Sequence, residues 1–334
     1  MIAGCPMLPS NNIFNTSIAS MPVHPSSAAY MATIGAVNIH LDLGQSVTTT
    51  APDYYGIPYN VVQANTLAWK TVSYQSTDPN MDWMPRPESD CATGAAHTIA
   101  SPCTAAAAPI PQLPIPSPVL VEGGIYPDTV ASPYGDHHIL MLDSDNCRLW
   151  EAYHAYTGTN GVWNIFGSAV FDLRSNALRP ATWTSADAAG FPILPLLLRA
   201  DEASTGTIKH ALRFTILSST IRGAYTWPAR HKTGNSVNTA HPEMGQLFRI
   251  KSTYAIPANF STQSKAILQA LKTYGMYLSD GGSRLYIQGE PSASWSSSVF
   301  SEVQSVPSSQ FEAVDLSPIR MRAGFDANSG AVPP

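Results

Sequence analysis

The stretch Asp136-His137-His138-Ile139-Leu140-Met141-Leu142-Asp143-Ser144-Asp145-Asn146-Cys147-Arg148-Leu149-Trp150-Glu151-Ala152-Tyr153-His154 reads as one β-hairpin, two largely apolar runs joined by a polar turn. A turn centred on Ser144-Asp145 sets His138 across from Glu151, Asp136 across from Tyr153 and Leu140 across from Leu149. Opposed side chains of a strand pair lie about 4.5–5.5 Å apart at Cβ. Two acids, an imidazole and a phenol are therefore expected at one end of one sheet face. That face turns apolar toward Leu142 and Cys147, while Ile139, Met141, Trp150 and Ala152 make the other face largely apolar too, so both are expected to be covered.

Outside the hairpin the chain is rich in short strand patterns separated by Pro and Gly. Val37, Ile39 and Leu41 alternate with Asn38, His40 and Asp42; further runs lie at 54–62, 68–74, 119–122, 163–172, 210–217, 223–230 and 246–254. Residues 1–30 read as an irregular surface-wrapping segment apart from a short helix beginning at Ser27, and 76–120 as a Pro/Ala-rich strap. The clearest helix spans 262–275: Ser261 is placed to cap it, Ile267, Leu268, Leu271 and Tyr274 share a face, and Gly275 suits a left-handed end. Thr184 to Gly190 reads as one capped helical turn, and Asp280-Gly281-Gly282 as the turn of a last hairpin. The expected fold is all-β and mainly antiparallel, a single β-sandwich or jelly roll over 1–334 with long Pro-rich loops and one C-terminal helix.

Composition narrows the function classes. Charged residues make up 12% of the 334, against roughly 25% in an average soluble domain. A net charge of −5 with 18 Lys and Arg leaves no basic surface for nucleic acid. Four cysteines without CxxC spacing suggest two disulfides; Cys91 with Cys103 is the local pair, leaving Cys5 with Cys147. Oxidised cysteines point to an extracellular or periplasmic protein. No run approaches the roughly 20 apolar residues of a membrane span, and no leader pattern opens the chain, so a mature secreted form is expected, with Met1 added for expression. GxSxG, HExxH, P-loop and GxGxxG motifs are absent.

Chemistry is therefore sought in constellations. Glu151 and Asp136 are the candidate catalytic carboxyls, with His138 and Tyr153 tuning them. Glycoside cleavage places two carboxyls about 5–5.5 Å apart for retention or about 6.5–9.5 Å for inversion. Glu122, ahead of Gly123-Gly124, is a third carboxyl. Together with His210, Arg213, Trp227, Arg230 and His231, it forms the candidate substrate-binding set. Adjacent His137 and His138 point to opposite sides of a strand and cannot readily share an ion, so neither a metal nor another cofactor is expected. The leading expectation is a secreted polysaccharide-degrading glycoside hydrolase. A polysaccharide lyase with His138 and Tyr153 as acid/base pair and Arg213 or Arg230 as neutraliser is one alternative. A non-catalytic carbohydrate-binding or surface protein is another.

The stretches 169–180, 183–190 and 210–215 resemble those of a family of secreted bacterial proteins described only as hypothetical. The resemblance runs through most of the chain; it implies secretion and carries no activity.

Overall fold

The structure, a computed structural model, describes residues 1–47, 55–74, 88–103, 110–125 and 136–334. The hairpin forms, with strands Ile139–Asp143 and Arg148–Tyr153, but its register differs from the expected one by two residues: Leu140 pairs with Glu151, Leu142 with Leu149 and Asp143 with Arg148. Asp143 is the cause. Its Oδ1 accepts the backbone N–H groups of Asp145 (3.0 Å) and Asn146 (3.3 Å) and its Oδ2 the Asn146 amide (2.8 Å), an Asx turn that opens the loop to four residues. Because the shift is even, every side chain keeps its expected face. Ile139, Met141, Trp150 and Ala152 enter one hydrophobic cluster, Leu140, Leu142 and Leu149 another.

Both expected disulfides are present, Cys5–Cys147 and Cys91–Cys103. The first closes a loop with a sequence separation of 142 residues and ties the N-terminal segment to the hairpin loop. Replacing Cys5 and Cys147 together with alanine is expected to lower the unfolding free energy by about 2–4 kcal/mol. Urea denaturation reads this; an unchanged midpoint would mean that packing alone holds the segment. Residues 1–30 do more than wrap the surface: Ile13, Phe14 and Ile18 are buried in the largest core cluster, where Phe14 packs edge-on against Phe191 and Tyr277.

The fold is sheet-rich with few helices; the four-stranded and both six-stranded sheets mix parallel and antiparallel pairs, while the two-stranded sheet of Arg222–Tyr225 and Glu243–Met244 is parallel. The hairpin lies in a four-stranded sheet between Gly167–Asp172 and Tyr59–Val62. A six-stranded sheet runs in the order His40–Asp42, Tyr286–Gln288, Leu212–Ile216, Met276–Gly281, Leu247–Ile250, Phe311–Ala313. The described parts of the 76–120 strap contribute three short strands, Cys91–Thr93, Thr98–Ala100 and Pro111–Leu113, to a second six-stranded sheet, while Ala105–Ala108 lie outside the described residues.

Three local expectations are corrected. Met276–Gly281 and Tyr286–Gln288 are not a hairpin, because Leu212–Ile216 is inserted between them, parallel to the first and antiparallel to the second. The connecting loop crosses that strand so closely that a Cβ on Gly282 would meet the Thr215 hydroxyl at 3.1 Å. Thr184 to Gly190 is an irregular turn rather than a helical one, and Val119–Glu122 is not a strand. Helices Ser27–Ile34 and Thr262–Thr273 form as expected, the second capped by the Ser261 side chain accepting from the Ser264 N–H. Shorter helices at Ala200–Ser204, Ser297–Val303 and Ser317–Arg320 join them, so the helix content is not confined to one segment.

Candidate functional site

Alternation builds one wall. Leu41, Ile287, Leu212 and Phe214, on the first three strands of the six-stranded sheet that begins with His40–Asp42, turn into the main core. Their neighbours Asp42, Gln288 and Arg213 take the other face, since successive side chains on a strand point to opposite sides. Asp42 sits beside Gln288 in the ladder and hydrogen-bonds its side chain. Arg213 Nη1 donates to Gln288 Oε1 and its Nη2 to Asp187 Oδ2, the latter at 2.5 Å. Asp280, on the fourth strand, adds its charge to the field around Arg213. A row of polar groups thus crosses four neighbouring strands.

The hairpin brings the second wall. His138 is 3% exposed, and both ring nitrogens face acceptors: Nδ1 lies 2.6 Å from Glu122 Oε2 and Nε2 lies 3.0 Å from the Ala186 carbonyl oxygen. A ring that must donate twice is an imidazolium. Burial alone would lower its pKa, but the Glu122 charge and hydrogen bond, with Asp136, outweigh burial and raise it to about 9. In turn His138 overrides the desolvation of Glu122 and holds that carboxyl below its ordinary range. Glu122 Oε2 also accepts the backbone N–H groups of Asp136 (3.2 Å) and His138 (3.3 Å), while Oε1 takes no hydrogen bond among the described residues. Tyr153 lies against the imidazole, ring centroids 5.3 Å apart.

The remaining carboxyls are pushed the other way. Desolvation, then the Glu122 charge, raise Asp42 to about 6 against the pull of Arg213. Desolvation and Asp187 raise Asp280 to about 7. Asp136 is also raised, by desolvation and by Glu122, although the residue as a whole stays exposed to solvent. The Asp136 charge acts on both Asp42 and Asp280, and that of Glu122 on Asp42 and Asp136, so these carboxyls share one electrostatic neighbourhood.

Glu151 is sealed from solvent. It is 0% exposed, and its Oε1 accepts the N–H groups of Ile193 (2.8 Å) and Leu194 (3.2 Å). Its Oε2 has no hydrogen-bond partner among the described residues. Burial raises its pKa to about 8, so it is neutral through most of the physiological range. Its place is that of an anchor for the 193–194 turn, on the same hairpin face as His138.

The substrate-binding set divides. Glu122 and Arg213 belong to the site, and His231, whose Nδ1 lies 2.9 Å from the Ala188 carbonyl oxygen, borders the Asp187 turn. His210 lies in a different cavity of about 580 Å³, bonded to Glu202 at 2.7 Å and to its neighbour's Ala211 carbonyl at 2.8 Å. Trp227 is a core residue, its indole N–H on the Ser329 carbonyl and its ring edge-on to Phe325. Arg230 commits its guanidinium to Arg179 O, Ala327 O and Asn328 Oδ1. Both side chains are buried and engaged by the protein's own groups.

Sequence reasoning missed Asp42, Asp187, Asp280 and Gln288. A signal existed for Asp42 and Arg213: each is a charged residue flanked by core residues on a strand, and such a residue faces either solvent or a polar site. No protein-family model, no curated protein and no solved structure matches this chain.

Proposed function

We propose that this protein is a secreted glycoside hydrolase acting on polysaccharide, with Asp42 as general acid and Glu122 as base or nucleophile. One observation carries the reading: two carboxyls near enough to feel each other are driven apart in proton affinity, Asp42 upward to about 6 and Glu122 downward under the His138 imidazolium. Such a split assigns acid and base within one site. The general acid protonates the departing glycosidic oxygen, and Glu122 attacks the anomeric carbon or activates a water through its unengaged oxygen. His138 is a positioning residue here, holding Glu122 ionised. Tyr153 packs beside the His138 ring, and Glu151 holds the 193–194 turn from within. The two disulfides support an extracellular or periplasmic setting. A lyase would need a free cation for a uronate, and Arg213 and Arg230 are both buried and committed to protein partners.

The test is release of reducing ends from a panel of uncharged polysaccharides, beside a search for absorbance from unsaturated products. Asp42→Asn and Glu122→Gln are each expected to lower kcat by about 10² or more, the scale of general acid–base catalysis. Because the acid must be protonated, activity should fall as pH rises through about 6, the value at which Asp42 loses its proton. Absence of cleavage across the panel, or full activity in Asp42→Asn, would overturn the reading.

A further inference from the structure

Asp42 also lines a groove of about 490 Å³, whose other residues the chemistry above does not use. His40 pairs with Tyr286 in the same parallel ladder that pairs Asp42 with Gln288. All four side chains therefore lie on one face, with the ring pair two residues, or about 6.6 Å, along the strand from the acid. The His40 and Tyr286 rings are stacked, centroids 4.0 Å apart and planes at 29°. Tyr55, more than half exposed, lines the same groove.

Its polar groups are amides rather than charges. Gln45 donates its amide nitrogen to the Trp295 carbonyl at 2.6 Å, and its carbonyl oxygen accepts nothing among the described residues. Gln304 has the opposite arrangement, its oxygen accepting the Leu41 N–H at 3.2 Å and its amide nitrogen unengaged among the described residues. Among the described residues, no Lys or Arg lines the groove and Asp42 is its one carboxyl. Burial lowers the pKa of His40, so that ring is neutral at neutral pH and supplies no positive charge.

We infer that this groove is a subsite for an uncharged glycan chain, seating one or more sugar rings against the His40–Tyr286 stack and Tyr55 and leading them to the Asp42 carboxyl. The faces of sugar rings are apolar and pack on aromatic side chains, while their hydroxyls donate and accept. The open oxygen of Gln45 and open nitrogen of Gln304 answer both needs. An anionic polymer is disfavoured because, among the described residues, no cation lines the groove to answer a uronate. The inference deepens the hydrolase reading and rests on it for the role of Asp42.

Calorimetry on the full chain carrying Glu122→Gln tests it, with cello-, laminari-, xylo- and mannohexaose and hexagalacturonate as probes. At least one uncharged hexaose is expected to bind and hexagalacturonate to fail. Tyr286→Ala and Tyr55→Ala are each expected to weaken that hexaose by about 10-fold. Tyr286→Phe, which preserves the ring, should bind like the parent and guards against misfolding. Hexaose affinity unchanged in both alanine variants, tighter binding of hexagalacturonate, or no hexaose bound would overturn the subsite. A hexaose that binds through these tyrosines in a wild-type chain that cleaves nothing would sustain the subsite and defeat the hydrolase reading. Cleavage that persists while the alanine variants bind normally would do the reverse.

Discussion

Arg213→Leu should destabilise the protein by about 3–5 kcal/mol, the range seen when one partner of a buried ion pair is removed. Arg213 is 1% exposed and Asp187 0%, and their Nη2 and Oδ2 atoms lie 2.5 Å apart. Without the guanidinium, Asp187 keeps, among the described residues, the Ala189 N–H on Oδ1 at 2.9 Å and the field of His138 as compensation, and must either hold a charge without its ion-pair partner or take up a proton. Gln288 loses the donor on its Oε1, and Asp42 and Asp280 lose the cation that holds them down, so both carboxyls should titrate higher. The discriminating measurement is a double-mutant cycle by chemical denaturation. Adding Asp187→Leu to Arg213→Leu should restore most of the lost stability, because removing both charges removes the desolvation penalty as well as the attraction. Equal losses in the single and double variants would show that volume, not charge, governs this part of the interior.

Glu151→Gln should change how stability depends on pH. The folded pKa of about 8 lies above the ordinary value of 4.5. Below 4.5 the carboxyl is protonated in both the folded and unfolded chains and contributes nothing. Between the two values the folded chain retains a proton that the unfolded chain releases, so stability falls as pH rises, and the loss is complete above about 8. Its full size is on the order of 5 kcal/mol. Glutamine keeps an oxygen for the Ile193 and Leu194 N–H groups and cannot ionise. Wild type and variant should be similar near pH 4.5, and the variant should be several kcal/mol more stable at pH 9. Stability curves that run parallel from pH 5 to 9 would show that Glu151 does not titrate in this window.

The hairpin, its apolar faces and the two disulfides were legible because each rests on local pattern or on elimination among four cysteines. The 262–273 helix was legible through its cap and its spacing. The register was not, since it depends on Asp143 folding back onto two N–H groups and not on the apolar pattern of the strands. The missing site residues follow a different logic. In Leu41-Asp42-Leu43 and Leu212-Arg213-Phe214 alternation says only that the charged residue leaves the main core.

From its own residues, then, this chain determines that short strands form, which of their faces are apolar, which thiols join, and that His138 and Glu151 share a side of the hairpin. Tertiary structure alone decides that the polar face of one sheet is covered by the hairpin and the Ala186–Leu194 segment rather than by water. That covering is non-local, yet it sets desolvation and charge proximity, and those two forces drive the proton affinities of Asp42 and Glu122 apart and leave Glu151 sealed in the interior.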